Sequence, residues 1–260
     1  MSLDNDSSKV DMQECILKAD ALIEALPYIA RFKNELIVVK LGGSVMESPE
    51  NLKSILADIA FMRTVGMLPI VVHGGGKAIS RGLKNAGIET NFVQGLRVTD
   101  AASIRIVEEV IKHEVNAEVV RILKDAGVEA QSIYGERIFF ASKKTGKDPE
   151  TGAPVDWGYV GVPMAVDTGP VRELLHEGIV PAICPLGRGA DGLVYNINAD
   201  TAAAALAKAL KARKLAYVSD VPGLLRDPSD PSTLIKTLKA EDAPELMSNG
   251  VVGGGMLPKI

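Results

Sequence analysis

The run Leu36-Ile37-Val38-Val39-Lys40-Leu41-Gly42-Gly43-Ser44 constrains this chain more than any other stretch. Its aliphatic, β-branched residues read as a buried strand. That strand delivers a lysine and a glycine pair to a turn. Glycines let backbone N–H groups approach an anion, and the lysine adds a point charge beside them. A second strand ends the same way, in Ile70-Val71-Val72-His73-Gly74-Gly75-Gly76. A third cluster, Gly253-Gly254-Gly255, is followed by Lys259. Three glycine turns and two lysines point to an enzyme that handles phosphates, where one such loop would say little.

The chain has 260 residues, 47% of them hydrophobic and 24% charged, an ordinary balance for a sizeable core. Aromatics are 4%, so that core must be aliphatic and alanine-rich. A net charge of -4 argues against a general nucleic-acid binder. Cys15 and Cys184 are too few for a disulfide framework and form no CxxC pair. No apolar run approaches the ~20 residues that span a bilayer, and the polar start, Met1 to Asp11, is no signal peptide. The expectation is a soluble cytoplasmic protein with no membrane partner.

Residues 12–31 carry apolar positions at helical spacing, and Pro27 is expected to break or kink that helix. The helix precedes the first core strand. Its apolar face needs cover from either another subunit or its own domain. Strands are then expected at 36–41, 69–73, 179–184, 193–197 and 215–219. Helices are expected at 50–65, 76–86, 101–125, 170–177 and 200–212. Asp100 is a candidate N-cap and Gly127 a candidate helix stop. The stretch 128–163 reads as a hairpin-like excursion at one sheet edge, with a polar loop over 142–156. Alternating strands and helices imply a largely parallel sheet covered on both faces.

Ordered blocks along the chain resemble the amino-acid kinase family, in the branch that phosphorylates N-acetyl-L-glutamate. They are Val39–Ser44, His73–Gly76, Gly95-Leu96-Arg97-Val98-Thr99, Asp191–Asp200, Ser219–Leu224 and Gly254–Lys259. Gly-Leu-Arg-Val-Thr and Tyr-Asn-Ile-Asn-Ala-Asp are the specific ones. The glycine blocks also occur in carbamate, uridylate, aspartate and glutamate 5-kinases. The resemblance implies a three-layer α/β/α sandwich with a mainly parallel central sheet. It divides the chain into an extension, 1–34, and a kinase domain, 35–260. Within that domain, an acyl-amino-acid lobe would span about 35–190 and a nucleotide lobe about 191–260. The implied co-substrate is ATP with Mg²⁺, the magnesium held mostly by phosphates and water. Arginine-inhibited members look like trimers of dimers joined by an N-terminal helix, which Ala25-Leu26-Pro27-Tyr28-Ile29 resembles. A homo-oligomer is therefore expected, a dimer or a hexamer. The chain stops one residue past Lys259, whereas members continue with a tail that carries much of the arginine site. A weak arginine response, or none, is the corresponding expectation.

Phosphoryl transfer to a carboxylate brings anions together, so catalysis is mainly positioning and neutralisation of charge. The resemblance gives Lys40 the transferring group, Lys259 the leaving side, and Asp200 the role of organiser between them. The plainer readings are solvated lysines and a helix-capping aspartate. Gly75 and Gly76 would offer N–H groups to substrate carboxylate or γ-phosphate. Arg97 suits the α-carboxylate, because its planar fork matches one. Asn196 and Asn198, two apart on an extended segment, would take the acetamido group and the α-carboxylate. Gly42, Gly43, Asp220, Val221, Pro222, Gly223, Gly253 and Gly254 would border the nucleotide. His73 reads as a packed, hydrogen-bonded residue rather than a catalyst. No Walker A, His-Glu-x-x-His or Gly-x-Gly-x-x-Gly pattern is present. Two rivals remain: a kinase of another small acidic metabolite, such as a carrier-bound aminoadipate, and a metabolite-binding regulator without turnover.

Overall fold

Two buried strands side by side organise the protein. In the computed structural model, which describes residues 12–148, 151–227 and 229–252 with Met256 and Lys259, the chain begins with α1 (Met12–Phe32) and β1 (Leu36–Leu41). There follow α2 (Pro49–Thr64), β2 (Leu68–His73), α3 (Gly76–Asn85) and the small hairpin β3 (Phe92–Val93) and β4 (Leu96–Arg97). A long helix comes next, as α4 (Ala101–Glu109), a π-helical segment (Val110–Asn116) and α5 (Ala117–Asp125). The rest is β5 (Ala130–Ile133), β6 (Phe139–Lys147), β7 (Pro154–Val166), α6 (Gly169–His176), β8 (Val180–Ile183), β9 (Leu186–Gly189), β10 (Val194–Ile197), α7 (Ala199–Leu210), β11 (Lys214–Val218) and α8 (Ala243–Ser248).

The central sheet has the order β11-β1-β2-β8-β5, and every pairing is parallel. Successive strand residues face opposite sides. Val38, Ile70, Val72 and Ile183 pack with Leu174 of α6 and Leu206 of α7. Ile37, Val39, Val71 and Ala182 pack with Leu56 and Ile59 of α2 and Val119 and Leu123 of α5. These are the three layers α/β/α. In open parallel sheets, ligands bind outside the carboxyl ends of the strands. Here those ends carry Lys40, His73 and Ser219.

Caps behave as their local chemistry dictates. The Asp100 side chain accepts from the Ser103 amide at 2.7 Å, and Gly127 stops the long helix at φ 87°. Three features depart from expectation. First, α1 runs through Pro27 without a break. The carbonyl deprived of its partner there belongs to Ile23, which is exposed, so water can satisfy it. Second, the segment 128–163 holds the expected hairpin, β6 against β7, but not as an excursion at one edge of the central sheet. Ala130–Ile133 is itself the edge strand of the central sheet. The residues after it pair with β9 and β10 into a second, closed sheet, β10-β7-β6-β9. Most of the expected loop 142–156 is strand, because Thr145, Gly146 and Lys147 pair antiparallel with Asp156, Val155 and Pro154. Gly161 and Gly187 allow this closure, since a Cβ on either would stand 2.7 Å from Tyr195 Cβ or 2.6 Å from Ile197 Cδ1. Third, the helix 101–125 widens into a π turn at its centre.

Candidate active site

Lys40 lies two residues after Val38 on the same face of β1, the face packed on α7. Its ammonium therefore meets the first turn of α7. Asn198 caps that helix, its Oδ1 accepting from the Asp200 and Thr201 amides at 2.9 and 3.1 Å. Asp200 is thus not the cap, and its carboxylate is free for other partners. It takes Lys40 on Oδ1 at 2.7 Å and Lys259 on Oδ2 at 2.8 Å. All three side chains are largely shielded from water, at 11%, 9% and 18% exposure for Lys40, Asp200 and Lys259. The helix N-terminus favours a carboxylate in this position. Gly42 makes room for the arrangement: a Cβ there would overlap Lys40 Nζ.

This bridge separates two openings. One is a cleft of about 230 Å³ lined by Lys40, Gly42, Gly43, Gly75, Gly76, Arg97, Asn196 and Asn198. It opens beside a larger recess of about 710 Å³ that also borders Gly43, Gly75, Gly76 and Arg97. The other opening, about 540 Å³, is lined by Val221, Pro222, Gly223, Tyr217 and Lys259. Asp220 borders the larger recess instead, beside Gly43. Gly253 and Gly254 lie outside the described residues.

Arg97 is buried and anchored on three sides. It donates to the Gly76 carbonyl and Ser80 Oγ at 2.8 Å each and to Thr90 Oγ1 at 3.2 Å. The Phe92 ring lies 4.7 Å beneath its guanidinium. Burial pulls its pKa below the usual value, although arginine stays charged. Ser80, Thr90 and Phe92 had no signal in the sequence. Their role follows only from where α3 and the β3–β4 hairpin come together. Tyr217 was equally hidden. It is the register partner of Lys40 across β1 and β11. Burial, then the charge of Asp200, pushes its phenol up to about 12.

His73 is buried completely, with Nδ1 2.8 Å from the Gly74 carbonyl and Nε2 2.8 Å from Asn116 Nδ2. Burial lowers its imidazole to about 4, against the opposing effect of the Gly74 bond. An unfolded histidine titrates near ~6.5. Between those values the unfolded chain holds a proton that the folded chain does not. Stability is therefore lost as pH falls from about 6.5 towards 4. Urea unfolding at pH 7 and pH 5 should show wild type losing about 2 kcal/mol more than His73→Gln. Equal losses in both proteins would mean that His73 titrates normally.

An α/β/α sheet that gathers two ammonium groups on one carboxylate at its strand ends is suited to neutralising phosphates. The chain belongs to the amino acid kinase family, whose sequence profile matches residues 35–260. It is 42% identical over 254 residues to an acetylglutamate kinase of Heliobacterium modesticaldum, covering 96% of this chain and 86% of that one. An acetylglutamate kinase of Symbiobacterium thermophilum is 43% identical over 250 residues, covering 95% and 85%. Among solved structures, N-acetylglutamate synthase from Neisseria gonorrhoeae, complexed with coenzyme A and N-acetyl-glutamate, superimposes with a TM-score of 0.75 at 25% identity. That match covers 93% of this chain and 53% of that one. The protein is accordingly a phosphotransferase with a carboxyl acceptor. Among the described residues, no helix is long and apolar enough to cross a membrane.

Proposed function

We propose that the protein transfers the γ-phosphoryl group of ATP to the side-chain carboxylate of N-acetyl-L-glutamate, a step of arginine biosynthesis. The observation that carries this reading is the single carboxylate of Asp200 holding Lys40 and Lys259 between two openings. The smaller cleft takes the acyl-amino acid. Arg97 grips its α-carboxylate, and Asn196 and Asn198 take the acetamido group and the near carboxylate oxygen. The opening around Val221–Gly223 takes the nucleotide. Gly42 and Gly43 stand at the phosphates, and Mg²⁺ arrives with ATP. The acceptor carboxylate is already ionised at neutral pH, so no general base is needed. Lys40 neutralises the transferring group, Lys259 the leaving side, and the Gly75 and Gly76 amides meet the oxygens where charge builds. The lobes are assigned as about 35–190 for the acyl-amino acid and 191–260 for the nucleotide.

Coupled ADP release with N-acetylglutamate, glutamate, aspartate and carbamate tests the reaction. Turnover with N-acetylglutamate alone supports it. Saturable ATP binding without turnover would make the protein a regulator. Arg97→Ala should raise KM for the acyl-amino acid roughly 10- to 100-fold, the worth of a charged hydrogen bond, and leave KM for ATP nearly unchanged. The reverse pattern would mean the openings are assigned the wrong way round.

A proposed assembly rests on α1. None of its residues is buried, and Ile16, Leu22, Ile23 and Leu26 are all more than half exposed. Only its last residue, Phe32, packs against the core of its own domain; these four do not. A partner subunit would contribute roughly 25 cal/mol per Å² covered. The proposal is a homodimer through the acyl-amino-acid lobe, with α1 joining dimers into a hexamer. Light scattering should give a smaller assembly for a chain starting at Asn34 than for the full chain. The same number of subunits in both would remove α1 from the assembly.

A further inference from the structure

A buried polar pair beneath the Gly74-Gly75-Gly76 turn has no place in the chemistry above. His73 ends β2 and immediately precedes the turn, and Asn116 ends the π-helical segment. Both side chains are fully shielded from water. Asn116 Nδ2 donates to the Ala182 carbonyl at 3.0 Å and lies 2.8 Å from His73 Nε2. The carbonyl of Ala182 only accepts, which fixes the orientation of the carboxamide. A carboxamide nitrogen only donates, so Nε2 must accept and the ring proton must sit on Nδ1. That proton is aimed at the Gly74 carbonyl, 2.8 Å away. The other tautomer would set two donors against each other at Nε2.

The consequence reaches the site through one planar peptide. The Gly74 C=O and the Gly75 N–H belong to the same trans unit and point in opposite directions. Tethering the carbonyl to His73 turns the Gly75 N–H away from the ring. That amide has no backbone acceptor among the described residues, and Gly75 lines the acceptor cleft. The π turn supplies the floor of the same loop. Its Ile111 and Val115 stand 3.5 and 3.6 Å from where a Gly75 Cβ would be. Asn116 Oδ1 is buried with no partner among the described residues. An unsatisfied buried acceptor is costly, and an apolar residue would avoid it. The donor is what this position retains.

We propose that Asn116 is a positioning residue: it selects the His73 tautomer that holds the Gly74 carbonyl, and so aims the Gly75 amide at the reacting oxygens. The inference rests on the reaction proposed above, and its first test does not. Imidazole ¹⁵N spectra of the wild-type protein should show His73 protonated on Nδ1 and bare on Nε2. The opposite tautomer overturns the proposal whether or not N-acetylglutamate is turned over. In kinetics, Asn116→Leu and His73→Gln should each lower kcat by about 10²-fold through a misplaced amide, with KM for ATP unchanged. His73→Asn puts a donor where Nδ1 stood and should recover kcat to within about 5-fold of wild type. Equal losses in His73→Asn and His73→Gln, or wild-type kcat in Asn116→Leu, would sink the idea. Should Asn116→Leu not fold, the wild-type spectrum and the His73 pair decide.

Discussion

Replacing Lys40 by alanine should lower kcat by about 10²–10³-fold and leave KM for ATP far less affected. The ammonium is held at 2.7 Å from Asp200 and lines the smaller cleft, which on the reaction proposed above is where charge develops. Preorganised charge acts on the transition state more than on the bound ground state. Lys259→Ala should behave alike from the side proposed for the nucleotide, where Lys259 lines the second opening. Gly42→Ala offers an independent check without removing any charge. Its added methyl would overlap Lys40 Nζ and push the ammonium out of place. The alanine at residue 42 should therefore reproduce much of the Lys40→Ala loss. Steady-state kinetics with both substrates varied measures all three. Wild-type kcat in Lys40→Ala would remove that lysine from the mechanism, and a harmless Gly42→Ala would mean its position is not fixed by the turn.

Asp200→Ala should damage both activity and stability. It strips two poorly hydrated ammonium groups of the carboxylate they share at 2.7 and 2.8 Å. Breaking a buried pair on one side commonly costs about 3 kcal/mol, because the partner charge stays behind. Here two cations stay behind and also repel each other. With neither lysine held, kcat should fall by about 10²-fold or more. A bound triphosphate can replace the missing negative charge. MgATP should therefore raise the melting temperature of Asp200→Ala by more than it raises that of wild type. Thermal melts with and without MgATP read this directly. A variant as stable as wild type in the absence of nucleotide would show that the bridge is not a stabilising element. A smaller nucleotide response than wild type would show that Asp200 does not stand in for phosphate charge.

Both predictions rest on residues the sequence singled out, and the reason is local. Lys40 follows a run of four apolar residues with the glycine pair just beyond it, and Asp200 opens an alanine-rich helix. Strand, turn and cap chemistry is written within a few residues, so β1, β2, the Asp100 cap and the Gly127 stop were legible there. The order of helices and strands also determined the layered sheet, since each element has one face to bury. Other features depend on what meets across long stretches of chain. Asn198 rather than Asp200 caps α7, and only the approach of Lys40 and Lys259 explains why the aspartate is left free. Tyr217 is an ordinary strand residue until β11 pairs beside β1. Most of the polar run 142–156 becomes strand because its two ends pair with each other, Lys147 with Pro154 and Thr145 with Asp156, once β6 and β7 come together. Asn116 looks like one more polar residue of an amphipathic helix until the π turn brings it against His73 and Ala182. Side-chain period and turn chemistry act over a few residues and survive in any context. Pairing partners and buried hydrogen bonds act across dozens of residues, and only the folded packing selects among them.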